Sequence, residues 1–154
     1  MTAENSTQDL LPAELTMGTV MLKVGDMKLM TDYYQRALGL DIVAEQDGGL
    51  YLGRRQKPLV HLAPAPGLNL PSRGEAGLFH TALLFEDQSS LAATVASAAQ
   101  FEPQSFTGSA DHLVSEAFYF VDPDGLTVEV YRDRPRAEWQ YSGDELQMAS
   151  LPLD

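Results

Sequence analysis

The chain has 154 residues, enough for one domain with a sizeable core, and is 44% hydrophobic and 21% charged. A net charge of −12 repels phosphate backbones and argues against nucleic acid as a partner. The absence of cysteine excludes disulfides and thiolate-metal sites, and no apolar run approaches the roughly 20 residues of a membrane helix.

Residues 1–14 lack the basic start and apolar stretch of a signal peptide and read as a polar, poorly ordered tail; with no cysteine, this points to the cytoplasm. Residues 17–24 alternate, with Val20, Leu22 and Val24 on one face and Thr19, Met21 and Lys23 on the other, a strand pattern. Asp26 then stands as a helix N-cap before a stripe of Met30, Tyr33, Tyr34, Ala37 and Leu38, and Gly39 sits where a helix C-cap glycine belongs. Residues 40–44 read as a strand, Asp47-Gly48-Gly49 as a hairpin turn, and residues 50–52 and 59–63 as two more short strands. Residues 65–77 are rich in Pro and Gly and read as a linker loop.

The same order then begins again. Residues 78–85 form a strand and 87–99 a helix with Leu91, Val95 and Ala98 on one side. Residues 105–108 read as a weak strand or loop, 117–121 as a strong strand, and 126–132 as another, after an Asp122-Pro123-Asp124-Gly125 turn. Residues 15–64 and 78–135 are thus expected to be two similar βαβββ modules, with residues 136–154 a C-terminal tail anchored by Trp139. The fold expected is α+β: tandem modules whose curved mixed sheets surround a central cleft, with helices outside.

The repeat aligns Thr19 with His80 and His61 with Glu129. Glu129 is a lone carboxylate in a β-prone strand, and two imidazoles on other strands offer a reason for it. Two histidines and a carboxylate can hold a divalent transition metal and leave positions open for substrate. Each residue also has a plainer reading: a solvent-facing or arginine-paired Glu129, a buried hydrogen-bonded His80, a polar wall at His61. His112 reads either as a loop histidine that moves a proton or as a structural one held by Asp111. Tyr119 lies between Phe118 and Phe120, so it faces away from both and can donate to a substrate oxygen or pack in the core. Arg132, Arg134 and Arg136 read as a solvated loop, with an anion clamp as the alternative.

At MGTVMLKVGDM, YYQRALGL, GLFHTALLF, SADHLVSEAFYF and DPDGLTVEVYRDRPRAEW, spanning residues 17–139, the chain resembles the vicinal oxygen chelate superfamily. That superfamily includes glyoxalase I, bleomycin-resistance proteins and extradiol dioxygenases. The likeness is greatest to the N-terminal module of bacterial catechol-2,3-dioxygenase-like proteins, whose chains continue into a second module. The resemblance implies metal ligands at His61, His80 and Glu129. Thr19 stands where relatives have glutamine or histidine, and His61 where glyoxalase I has glutamate. It also implies roles for Tyr119 and His112 in orienting substrate or moving protons. Ala65 and Pro66 stand where dioxygenases carry an acid–base histidine.

The function this implies is metal-dependent chemistry on a small molecule with adjacent oxygens, extradiol ring cleavage first. The alternatives are a glyoxalase-type lyase or isomerase, a metal-free binding protein of the bleomycin-resistance kind, and a non-catalytic module. Fe2+ suits the oxygenase; Zn2+, Ni2+ or Mn2+ suits the lyase or isomerase. A homodimer is a further expectation, because clefts of this superfamily close either within one chain or between two.

Overall fold

The computed structural model describes residues 15–70 and 74–153, so the expected N-terminal tail lies outside the described residues. The first module runs β1 (Val20–Val24), α1 (Met27–Arg36), β2 (Asp41–Gln46), β3 (Gly49–Arg54) and β4 (Lys57–Pro64). The second runs β5 (His80–Leu84), α2 (Gln88–Phe101), β6 (Phe106–Asp111), β7 (Ser115–Val121) and β8 (Thr127–Asp133). Each module makes one four-stranded mixed sheet, β1-β4-β3-β2 and β5-β8-β7-β6, in which the first strand runs parallel to the fourth. This is the tandem βαβββ architecture of the α+β class.

Local chemistry sets the boundaries. The Asp26 carboxylate accepts from Leu29 N at 2.9 Å, and that of Asp87 from Ser90 N at 2.7 Å, so both helices begin on an aspartate cap. Asp47 and Gly48, at φ 52° and 74°, make the tight turn of the β2–β3 hairpin. Asp122 shapes the β7–β8 turn by accepting from Asp124 N and Leu126 N at 3.1 and 2.9 Å.

One core serves both modules. It holds Leu22, Tyr33, Tyr34, Leu52, Val60 and Leu62 from the first and Leu91, Ala98, Phe120, Val128 and Val130 from the second. On each sheet the face away from the helices stays open: Met21 is 59% exposed and Leu84 57%. No helix among the described residues is long and apolar enough to cross a membrane.

The structure differs from the sequence reading in three places. The weak segment at 105–108 is a six-residue strand, β6, entered through a 3-10 turn at Pro103–Ser105. The tail is structured: Tyr141–Ser142 and Glu145–Leu146 pair as strands β9 and β10, and Leu151 bridges to Asp111 on the free edge of β6. The arginine run is not a free loop. Arg132 pairs with Glu116 at 2.9 Å, Arg134 with both Asp111 and Glu116 at 3.0 Å, and Arg136 lies 4.0 Å over the Trp139 ring.

Candidate functional site

Strand register assembles the site on the open face of the second sheet. Tyr119 lies opposite Glu129 across the β7–β8 pair, and Ala82 lies opposite Glu129 across β5–β8. Side chains alternate along a strand, so Tyr119, Glu129, Ala82 and His80 share one face while Phe120, Val128 and Val130 fill the core on the other. His80 Nε2 is 3.1 Å from Glu129 Oε2. The Tyr119 hydroxyl is 3.3 Å from Glu129 Oε1 and 2.8 Å from His112 Nε2. His112 Nδ1 is 2.7 Å from the carbonyl of Ala149. Four of the five residues singled out in the sequence thus form one row: His80, Glu129, Tyr119, His112.

The Tyr119 phenol is protonated at neutral pH, as an ordinary phenol is, and its surroundings hold that proton more firmly. Burial, followed by the negative charge of Glu129, pushes the Tyr119 hydroxyl above its ordinary range. It acts as a donor. Asp111 does not hold His112: its carboxylate accepts from Leu113 N at 2.8 Å and from Arg134.

His61 stands on β4 of the other sheet, paired in register with Tyr51 and Met21 and stacked on the Tyr51 ring at 4.1 Å and 3°. Among the described residues no three of His, Cys, Asp and Glu converge on a metal-binding position, so His61 does not join His80 and Glu129 within the chain. The Thr19 hydroxyl donates to Pro58 O at 3.3 Å.

The donor chemistry can be tested against a divalent metal. His80 Nε2 and Glu129 Oε2 have the spacing of two donors each about 2.1 Å from one ion. The pair fits; a three-ligand centre does not form among the described residues of one chain. His80 Nδ1 is buried with no partner among the described residues, so a metal at Nε2 would leave an unpaired N–H costing about 1–3 kcal/mol.

Sequence reasoning missed two contributors. Tyr51 stacks on His61 because of the β3–β4 register, and Gly49 leaves room for that ring: a Cβ there would stand 2.5 Å from His61 Nε2. Ala149 reaches His112 from 37 residues away, with no periodic signal in the tail to announce it.

The sequence model of the glyoxalase/bleomycin resistance protein/dioxygenase superfamily matches residues 16–130. The chain belongs to this superfamily. Among its relatives, a catechol-2,3-dioxygenase of Bacillus subtilis (strain 168) is 33% identical over 127 residues. The match covers 80% of this chain and 44% of that protein, so the chain spans less than half the length of this superfamily member. Solved structures agree in fold. A glyoxylase/bleomycin resistance protein/dioxygenase domain from Frankia sp. EAN1pec matches with TM-score 0.65 at 17% identity, over 78% of this chain and 98% of that one. A lactoylglutathione lyase from Agrobacterium tumefaciens matches with TM-score 0.54 at 18% identity, over 86% of this chain and 100% of that one.

Proposed function

We propose that this superfamily member is an enzyme for small molecules carrying two adjacent oxygens, with extradiol cleavage of a catechol as its reaction. The observation that carries this reading is the row His80–Glu129–Tyr119–His112 on an open sheet face. The 33% identity to a catechol-2,3-dioxygenase supports the choice of reaction. A cytoplasmic, bacterial setting belongs to the same reading.

In this reading His80 and Glu129 hold a divalent metal, and the third donor is His61 of a second copy. The open, partly apolar faces support that pairing, with Met21 and Leu84 more than half exposed on edge strands β1 and β5. When bound, the metal supplies Lewis acidity to the substrate oxygens, with Fe2+ suited to ring cleavage. Tyr119 donates its proton to a substrate oxygen or to His112, and His112 Nε2 accepts and returns it. Zn2+, Ni2+ or Mn2+ at the same residues suits the lyase or isomerase alternative.

Two measurements test this. Oxygen uptake with catechol after anaerobic Fe2+ loading is expected at one O2 per catechol; metal binding without uptake would exclude the oxygenase. Metal content is expected to vanish in His61→Ala and in His80→Ala alone, and to return to about one ion per mixed dimer when the two variants are co-expressed. No metal in any sample would favour the second reading, a metal-free ligand-binding protein. The unpartnered His80 Nδ1 and the engaged Thr19 hydroxyl favour that reading.

A further inference from the structure

We infer that the C-terminal segment is a working part of the site: the Ala149 carbonyl fixes His112 as the Nδ1–H tautomer and so presents a bare Nε2 to Tyr119. A carbonyl can only accept, so at 2.7 Å the proton must be on Nδ1. In the neutral ring Nε2 then carries a lone pair, 2.8 Å from the Tyr119 hydroxyl. That hydroxyl has one proton and two acceptors in reach, and Glu129 Oε1, at 3.3 Å, is the farther. The segment therefore directs the phenol proton toward the imidazole and away from the Glu129–His80 pair.

Ala149 is held in place by the residues that follow it. Leu151 and Asp111 exchange two backbone hydrogen bonds of 2.9 Å, which adds the tail to the β6 edge. Beyond it, Leu153 lines an apolar cavity of about 320 Å³ between α2 and β7, with Leu91, Val95 and Phe118. The His112 loop is fixed as well. His112 N donates to Ser115 O at 2.9 Å, and Leu113, at φ 67°, is held by the Asp111 carboxylate, itself paired with Arg134. The ring thus sits between a fixed loop and a fixed strap. The Ser150 hydroxyl, 3.3 Å from Nδ1, is a secondary neighbour. Without the strap the ring would exchange tautomers and rotate. Ala149 is a positioning residue that acts through its backbone.

The inference rests on the proposed function for its catalytic meaning, but its test reads the ring itself. The experiment is a long-range 1H–15N correlation spectrum of the full chain, labelled at histidine, at about pH 8.5, above the ordinary imidazole range near 6.5. The His112 signals, assigned by their loss in His112→Asn, are expected to show Nδ1–H and a bare Nε2. A chain ending at Gln147 is expected to show the tautomer mixture of a free imidazole, with the His61 and His80 signals unmoved. Should the truncated chain not fold, Leu151→Pro with Leu153→Asp loosens the same strap while keeping its length, and the same change is expected. Ser150→Ala is expected to keep the Nδ1–H form. An Nε2–H or averaged ring in the intact chain, a ring unchanged by strap loss, or loss of the form in Ser150→Ala would each overturn the inference. A wild-type chain inert toward catechols would overturn the proposed ring cleavage alone.

Discussion

Tyr119 and Asp122 lie three residues apart, and burial favours the protonated form of each. At Tyr119, burial and the Glu129 charge hold the phenol proton more firmly than in a free tyrosine, so it is released only as a partner takes it up. Tyr119→Phe preserves the ring and removes that proton. If the site works as proposed, kcat should fall about 10²–10⁴-fold with little change in KM, as for other positioned acids and bases; an unchanged kcat would remove Tyr119 from the chemistry. Asp122 is 3% exposed, and burial raises its pKa above the ordinary value of 3.8 although three donors, Tyr34 among them, face its oxygens. A raised folded-state pKa means the native protein binds more protons than the unfolded chain just above pH 3.8, so this group's contribution to stability falls as pH rises through that window. Asn keeps the acceptor for the two turn amides and removes the titration. Relative to wild type, Asp122→Asn should therefore gain stability as pH is raised from about 4 to 7, read from urea midpoints. A constant difference across that range would show that Asp122 titrates alike in both states.

At the scale of elements, the turns between strands decide the register and the site inherits it. The β3–β4 hairpin turns through Arg55 and Gln56, at φ 49° and 65°, conformations that suit Asn-Gly far better. Replacing the pair with Asn-Gly should raise stability by about 0.5–1 kcal/mol in urea unfolding. The replacement also removes the Arg55–Glu86 ion pair, but at 3.4 Å and over three-quarters exposed on both sides that pair contributes little. Gly49→Ala acts the other way. Its Cβ would meet His61 Nε2 at 2.5 Å and Leu62 O at 2.9 Å; the ring can swing away but the carbonyl cannot. A cost of about 1–3 kcal/mol is expected, with loss of the His61–Tyr51 stack seen in the His61 ring shifts.

These elements also explain what the sequence could announce. Strands with strict alternation, helices with aspartate caps and turns with Asp-Gly signals were legible because each depends on neighbours in sequence. Glu129 was legible for the same reason, from the Asp-Pro-Asp-Gly turn and the β-prone strand after it, and His80 from its register with that motif. Strand β6 was not: Thr107, Gly108 and Ser109 break the apolar alternation, and a register shift falls between Phe106 and Gly108. The arginine partners were hidden because Arg132 meets Glu116 only once β7 and β8 are paired. The His112 strap was hidden because an isolated bridge has no periodicity at all.

At the scale of the whole molecule, the repeat suggests two units that could unfold separately, and the contacts between them argue otherwise. Tyr34 of α1, fully buried, meets Asp122 of the second module at 3.2 Å. The Ser97 hydroxyl of α2 donates to Arg36 O at 2.8 Å, the Arg36 guanidinium lies 5.0 Å over Phe101, and Phe101 meets Tyr33 edge-on. Neither helix can leave its sheet without exposing apolar surface that belongs to both modules, so the chain should unfold in one cooperative step. The single tryptophan makes this measurable: Trp139 follows the second module, donates to Arg134 O at 2.9 Å, and reports only that end of the molecule. Its fluorescence in urea should trace the same midpoint as far-UV circular dichroism, which reports both modules. Tyr34→Phe, which removes one bond across the boundary, should shift both midpoints together by about 1 kcal/mol of stability. A fluorescence transition that precedes or trails the dichroism would mean the shared core does not couple the modules. The repeat would then be two domains in energy as well as in sequence.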